Sequence, residues 1–182
     1  MRVIAGRFGG RRLSAPRGQA TRPTGDRVRE ALFALLGPLE GLAVLDLFAG
    51  SGALGIEALS RGARHATFVD SAPAAIRAIR ANLEALAVTS AQAEVRRQDA
   101  RAFLRGARAG GHEYDLVFLD PPYRLAAGLG TELSSALAGV LAPGARVVTE
   151  SDRRAPLDLE PPPTDERRYG DTLIRIHTAP SA

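Results

Sequence analysis

From residue 44 to residue 149 the chain switches repeatedly between short unbroken apolar runs and longer stretches with apolar residues three or four apart. Short runs bounded by turn residues read as buried strands, and the longer period reads as helices that cover them. The pattern predicts a strand over Val44–Leu47, a helix over Ala53–Ser60, a strand over Ala66–Val69 and a long helix over Pro73–Ala87, whose proline suits a first turn. A third strand over Ala93–Arg97 follows, then a short helix over Ala102–Ala107, a strand over Asp115–Leu119, a helix over Leu129–Leu141 and a fifth strand over Arg146–Thr149. Repeated strand–helix units argue for an α/β fold with a parallel sheet covered on both faces.

Both ends depart from this order. Val3-Ile4-Ala5, the turn residues Gly9-Gly10 and Arg11-Arg12-Leu13 predict a short N-terminal β-hairpin. Residues 14–25 contain Pro16, Gly18, Pro23 and Gly25 and read as loop. A helix is expected from Asp26 as N-cap, with Val28, Ala31, Leu32, Leu35 and Leu36 at helical spacing and Gly37-Pro38 as its stop. Near the other end, Pro156 and Pro161-Pro162-Pro163 make residues 152–163 an irregular connection. Glu166–Tyr169 and Thr172–His177 then flank Gly170-Asp171 as a terminal antiparallel hairpin.

Composition narrows the function classes. At 182 residues, one domain is the default. The chain has no cysteine, which excludes disulfides, thiolate zinc sites and a cysteine nucleophile. His65, His112 and His177 lie far apart in sequence, so no metal site is expected. No apolar run reaches membrane-spanning length, and the opening stretch is too short for a signal peptide, so a cytoplasmic protein without membrane attachment is expected. All 24 basic residues are arginine. Residues 1–30 hold eight of them and two acids, a net of +6, whereas residues 31–182 carry a net of −2. A codon bias accounts for arginine over lysine but not for this asymmetry. A basic end on a near-neutral body reads as an anion-binding arm, and nucleic acid is the commonest such partner.

Candidate chemistry begins with Val44-Leu-Asp-Leu-Phe-Ala-Gly-Ser-Gly-Ala-Leu-Gly-Ile-Glu57, where Gly50, Gly52 and Gly55 form G-x-G-x-x-G between a strand and a helix. Asp70 follows at the end of the next strand, so a dinucleotide site is one reading. Asp46 argues against it, because a carboxylate four residues before Gly50 would repel a pyrophosphate. S-adenosylmethionine, with an ammonium, a sulfonium and no phosphate, suits that carboxylate. In this reading Phe48, Gly50, Ser51 and Gly52 bring backbone to the amino-acid part of the cofactor, Asp70 accepts from the ribose hydroxyls, and Asp99-Ala100 meets the adenine edge.

Asp120-Pro121-Pro122-Tyr123 is the second signal, at the carboxyl end of the fourth predicted strand. The exocyclic amino group of a purine is a poor nucleophile because its lone pair is delocalised into the ring. Asp120 and a backbone carbonyl, that of Pro121, can hold its two N–H bonds. Successive prolines restrict the backbone that presents these acceptors. Tyr123 offers a face on which a base can stack. The bland alternative is a proline turn after a buried strand.

The whole chain resembles the bacterial RsmD-type methyltransferases, which modify the N2 amino group of a guanine in 16S (small-subunit) ribosomal RNA. The resemblance is carried by Met1-Arg2-Val3-Ile4-Ala5-Gly6, Gly10-Arg11-Arg12-Leu13, Arg22-Pro23-Thr24, Asp26-Arg27-Val28-Arg29-Glu30-Ala31-Leu32-Phe33, Asp46-Leu47-Phe48-Ala49-Gly50-Ser51-Gly52, Asp120-Pro121-Pro122-Tyr123 and Tyr169-Gly170-Asp171-Thr172. It departs from the family pattern at Gly25. The resemblance implies a class I S-adenosylmethionine-dependent methyltransferase fold: a Rossmann-like, seven-stranded, mostly parallel sheet ending in an antiparallel hairpin. It divides the chain into a basic RNA-binding arm over residues 1–24 and a methyltransferase domain over residues 25–182. Thr24 and Arg27 would close over the methionine end of the cofactor, with Arg27 on its carboxylate. Arg2, Arg7, Arg11, Arg12 and Arg22 form the expected RNA set. The expected partner is small-subunit ribosomal RNA, naked or within an assembled or partly assembled particle, and the expected state is a monomer.

Three other readings stay open at this level: an adenine-N6 methyltransferase on DNA or RNA, a ribosome-assembly binder with a vestigial site, and a nicotinamide enzyme. Arg77, Arg80, Arg101, Arg105 and Arg108 read as solvated faces, while Arg153-Arg154 and Arg167-Arg168 fit either a solvated face or an RNA contact.

Overall fold

A computed structural model describes residues 1–16, 25–121 and 123–181, and only the backbone over 123–129. Thr24, Arg22 and Pro122 lie outside the described residues, as does the side chain of Tyr123. The strands are β1 (Ala43–Leu47), β2 (His65–Asp70), β3 (Ala93–Arg97), β4 (Tyr114–Leu119), β5 (Leu141–Asp152), β6 (Asp165–Tyr169) and β7 (Thr172–Thr178). They form one seven-stranded sheet in the order β3-β2-β1-β4-β5-β7-β6. The first five are parallel, and β7 runs antiparallel to both β5 and β6. The helices are α1 (Asp26–Leu36), α2 (Ala53–Ser60), α3 (Pro73–Ala85), α4 (Ala100–Ala109) and α5 (Tyr123–Leu137).

The near-continuous apolar strands follow from burial on both faces, as a covered parallel sheet requires. Val44, Phe68, Leu116 and Phe118 meet Phe33 of α1, Ile56 of α2 and Ile79 of α3 on one face. Leu45, Leu47, Val117 and Leu119 meet Phe103 and Leu104 of α4 and Leu133 and Leu137 of α5 on the other. The Phe33 and Phe118 rings pack at 5.7 Å between centroids, tilted by 49°. Because the strand order reverses at β1, β2 and β4 lie on either side of it. This is the topological switch point at which open α/β sheets bind ligands, outside the carboxyl ends of the strands.

The expected N-terminal hairpin does not form as a pair of strands. The segment folds back through a 3-10 turn at Gly6–Phe8, and its arms are joined by an antiparallel bridge between Arg2 and Arg12 with backbone bonds from Val3 to Arg11, Gly10 to Val3 and Leu13 to Met1, too short a pairing to make strands. The reason is competition for backbone groups. The amides of Ile4 and Ala5 donate to the Glu57 carboxylate of α2 at 2.7 and 3.1 Å, and the Ala5 carbonyl accepts from the Ser60 hydroxyl. Further along, the Ser14 amide and carbonyl both bond Asn82 of α3. Val3, Phe8 and Leu13 are buried in the core that also holds α1 and α2. A Cβ at Gly6 would collide with the Ser60 backbone carbonyl, and Gly6 has φ +78, so this position requires glycine.

Most boundaries shift from expectation by one or two residues, and those of α5 and β5 shift by more. Helix α1 is capped by Gly25, and Asp26 lies within its first turn, bonded to Arg2 and Arg29. Helix α5 starts at Tyr123 rather than at residue 129. Its glycines weaken the helical signal, yet Gly130 is where the Asp158 carbonyl comes too close to admit a Cβ. Strand β5 runs from Leu141, which pairs with Tyr114 of β4 ahead of a register shift, to Asp152, because β7 pairs with it from Arg146 to Asp152.

We expect Glu57→Ala to cost about 2–4 kcal/mol of stability, since two backbone N–H groups lose their acceptor in a buried setting. Thermal unfolding reads the loss, and limited proteolysis should then cut near the N-terminus. Unchanged stability and an uncut N-terminus would contradict this anchoring.

Candidate active site

The carboxyl ends of the central strands carry the candidate residues in spatial order. Asp46 lies one residue before the end of β1, Asp70 ends β2, Asp99 follows β3 by two residues, and Asp120 directly follows β4. Sheet order then places Asp99, Asp70, Asp46 and Asp120 in sequence along one edge.

The loop after β1 is held in an unusual shape. Phe48, Gly50 and Gly52 all have positive φ, at 62°, 56° and 77°. Glycine tolerates this backbone, whereas Phe48 does so at a cost of order 1 kcal/mol that surrounding contacts must offset. Those contacts are specific. The Ala49 amide donates to the Val69 carbonyl, the Gly50 amide to Asp70 Oδ2 at 2.9 Å, and Asn82 Nδ2 to the Ser51 carbonyl at 2.9 Å. Asp46 Oδ2 accepts from the Gly55 amide at 2.9 Å. Gly55 also packs against the Phe68 ring, where a Cβ would collide. The G-x-G-x-x-G residues thus divide into two that serve the turn and one that lets α2 approach β2.

Asp70 grips two segments at once: its second oxygen accepts from the Ala72 amide at 2.8 Å, ahead of α3. Asp99 is exposed and caps α4, accepting from the amides of Arg101 and Ala102, and Ala100 is buried beneath it. Pro121 is buried beside Asp120. Arg27 is exposed on the first turn of α1.

Electrostatically the centre is a carboxyl cluster. Burial pushes Asp46 up to about 8, against the opposing Gly55 hydrogen bond, and nearby Asp70 adds to the rise. Burial also raises Asp120 well above the usual carboxylate range, and the charges of Glu150 and Asp46 raise it further. Glu150 was not among the sequence candidates. It follows Thr149, which pairs with Leu119, so β5 sets it beside Asp120. The available signal was an acid in the carboxyl-end half of a strand, the pattern Asp46 and Asp70 also follow. A low-dielectric site with several carboxyl groups favours a ligand that brings positive charge or N–H donors. Among the described residues, no group of three or more His, Asp or Glu is placed to hold a metal.

The predicted RNA set is spread over the N-terminal surface. Arg2 pairs with Asp26 at 3.0 Å, Arg7 lies over the Phe8 ring, Arg11 donates to the Ala85 carbonyl, and Arg12 is exposed. Arg29 is buried, bonding Asp26 and the Arg2 carbonyl, and so braces the segment from inside. No helix among the described residues is long and apolar enough to cross a membrane.

The chain matches the family model described as conserved hypothetical protein 95 over residues 1–178. It is 40% identical over 160 residues to ribosomal RNA small subunit methyltransferase D of Haemophilus influenzae, an alignment covering 86% of this chain and 81% of that one. Among solved structures, one from Escherichia coli, described provisionally as a methyltransferase, superposes with a TM-score of 0.84 at 36% identity, covering 100% of this chain and 99% of that one. A hypothetical protein of Thermus thermophilus gives a TM-score of 0.83 at 31% identity with the same coverage.

A carboxyl raised on folding stabilises the fold fully below its unfolded value, near 3.8, and progressively less as pH climbs through about 8. Asp46→Asn removes this dependence. The ligand-free variant should therefore lose less thermal stability than the wild type between about pH 5 and pH 8.5. Parallel pH profiles of Tm would contradict the raised Asp46.

Proposed function

The chain belongs to the conserved hypothetical protein 95 family, the RsmD-type group its sequence resembles, and from that premise we propose that it transfers a methyl group from S-adenosylmethionine to the N2 amino group of a guanine in small-subunit ribosomal RNA. The observation that carries the reading is the carboxyl cluster at the switch point. Asp120 stands beside a strained glycine loop, in surroundings that penalise bare negative charge.

S-adenosylmethionine supplies an electrophilic methyl group on a sulfonium centre. The residues fit it: Asp46 becomes ionised where an ammonium approaches, and Phe48, Gly50, Ser51 and Gly52 present backbone to its amino-acid part. Asp70 keeps lone pairs for ribose hydroxyls while it holds Gly50 and Ala72. Asp99 and Ala100 border the adenine, and Thr24 and Arg27 meet the carboxylate. On the substrate side Asp120 and the Pro121 carbonyl accept the two N–H bonds of the amino group, Pro122 stiffens the turn, and Tyr123 stacks on the base. Rate comes chiefly from holding the amino nitrogen in line with the methyl group. The N-terminal segment, residues 1–24, supplies an RNA-binding surface through Arg2, Arg7, Arg11, Arg12 and Arg22, on the methyltransferase domain of residues 25–182. The protein acts in the cytoplasm as a monomer.

Transfer of labelled methyl to naked small-subunit RNA, to unmodified small-subunit particles and to duplex DNA tests this directly. Label is expected on guanine N2 in RNA, and label on adenine or DNA would refute the assignment. Asp120→Ala should lower transfer by about 10²-fold or more while cofactor affinity persists. Separately, replacing Arg11 and Arg12 with alanine should weaken RNA binding and flatten its salt dependence without changing cofactor affinity. An unchanged salt slope would remove the N-terminal surface from the RNA contact.

A further inference from the structure

The carboxyl edge does not end at Asp120. Beyond β4 the sheet continues through β5, β7 and β6, and this half of the same edge carries a groove of about 290 Å³ lined by Arg153, Arg154, Glu166, Arg168, Leu173 and Arg175. Register fixes its position. Leu119, the residue before Asp120, pairs with Thr149; Thr149 pairs with Arg175, and Arg175 with Glu166. One step further toward the edge, Ser151 pairs with Leu173 and Leu173 with Arg168. Strands lie about 4.8 Å apart, so the groove starts one strand from Asp120 and ends on the order of 15 Å away. Ile174 and Ile176 point into the core under α1 and α2, so Leu173 and Arg175 face the opposite side. That is the side on which α5 packs, whereas Asp46, paired with Phe68, and Glu150, paired with Ile174, lie on the side of α1 and α2, so the groove reaches the carboxyl cluster across the strand ends and not along one face.

The turn between β6 and β7 positions these arginines. Gly170, with φ +62, turns the chain so that the Asp171 carbonyl accepts the Arg153 amide at 2.9 Å. Asp171 Oδ1 accepts from Arg153 Nε at 3.2 Å and lies 3.8 Å from Arg154. Glu166 is likewise shared, between Arg168 and Arg175. Asp171 and Glu166 thus each hold two guanidinium groups, and Arg175 is held a second time by Asp158 at 2.7 Å, which leaves Arg153, Arg154 and Arg168 as the less neutralised members. The Arg154 and Arg168 side chains keep 71% and 73% of their surface exposed, which leaves most of their N–H donors facing solvent. Exposed ion pairs of this kind contribute little to stability, so stability alone is a weak reason for the cluster.

We propose that the groove of Arg153, Arg154 and Arg168 binds the phosphate backbone of the substrate RNA next to the nucleotide held at Asp120, with Asp171 as a positioning residue. The edge is then divided by charge. Carboxyl groups on β1 and β2 receive a cationic cofactor, and guanidinium groups beyond β5 receive a polyanion. Planar, partly freed guanidinium forks match phosphate geometry. The Tyr169-Gly170-Asp171-Thr172 turn, remote from the cofactor loop and from Asp120 in sequence, acquires a role as the mount for the basic pair.

This inference rests on the reading of the protein as an RNA methyltransferase. The test measures binding of a small-subunit ribosomal RNA fragment against salt for the full chain, alongside methyl transfer. Replacing Arg153 and Arg154 together with alanine should weaken RNA binding roughly tenfold and reduce the salt slope by about 1–2. Cofactor affinity and kcat at saturating RNA should hold while KM rises. The double lysine variant, R153K with R154K, should restore the salt slope. If the wild type transfers methyl and the alanine variant binds RNA with unchanged affinity and slope, the groove is overturned and the activity stands. If the wild type transfers no methyl to RNA yet loses RNA binding on substitution, the groove stands and the activity falls. Unchanged binding together with absent transfer overturns both.

Discussion

Three carboxyl groups cannot all ionise cheaply where β1, β4 and β5 come together. Asp46 and Glu150 are buried and Asp120 stands between their strands; desolvation lifts Asp46 and Asp120 far above ordinary carboxylates, with Asp70 adding to the rise of Asp46, and Glu150 and Asp46 to that of Asp120. Much else at this edge answers that constraint. The Gly55 amide, in the first turn of α2, is spent on Asp46, and the loop between them is bent through positive φ to reach it. A cluster so costly in the free protein favours a cationic ligand, whose charge offsets the penalty that burial imposes.

The loop that frames this cluster is in turn held from both sides. Asp70 fixes it from β2, and Asn82 fixes it from α3 through the Ser51 carbonyl. Asn82 also bonds both backbone groups of Ser14, so one amide side chain ties the N-terminal segment to the glycine-rich loop. Glu57 and Ser60 complete that attachment on α2. Residues 1–16 are therefore packed onto the same helices that shape the site, and Arg2, Arg7, Arg11 and Arg12 are carried on that anchored backbone.

Much of this was legible along the chain. The alternation of apolar runs and helical periods placed the five parallel strands, and Ala53–Ser60 and Ala93–Arg97 match to the residue. The G-x-G-x-x-G spacing located the turn after β1 because a tight strand–helix turn needs glycine for local reasons. The N-terminal hairpin was misread because Ile4 and Ala5 look like a strand locally, while Glu57, about fifty positions away, takes their amides. Glu150 was missed for a similar reason: its significance comes from the β4–β5 register, to which no short motif points.

The sequence by itself determined the fold class, the order of the central elements and the chemical types at the strand ends, since these depend on periodicity and on turn residues that act over a few positions. Only the tertiary structure decided which charges meet. Strand order brought Asp46, Asp120 and Glu150 together, carried Arg153 and Arg168 onto the same edge, and set Asp171 between Arg153 and Arg154. Such encounters depend on distances across the sheet, and residues a hundred positions apart carry no local sign that they will share one dielectric environment.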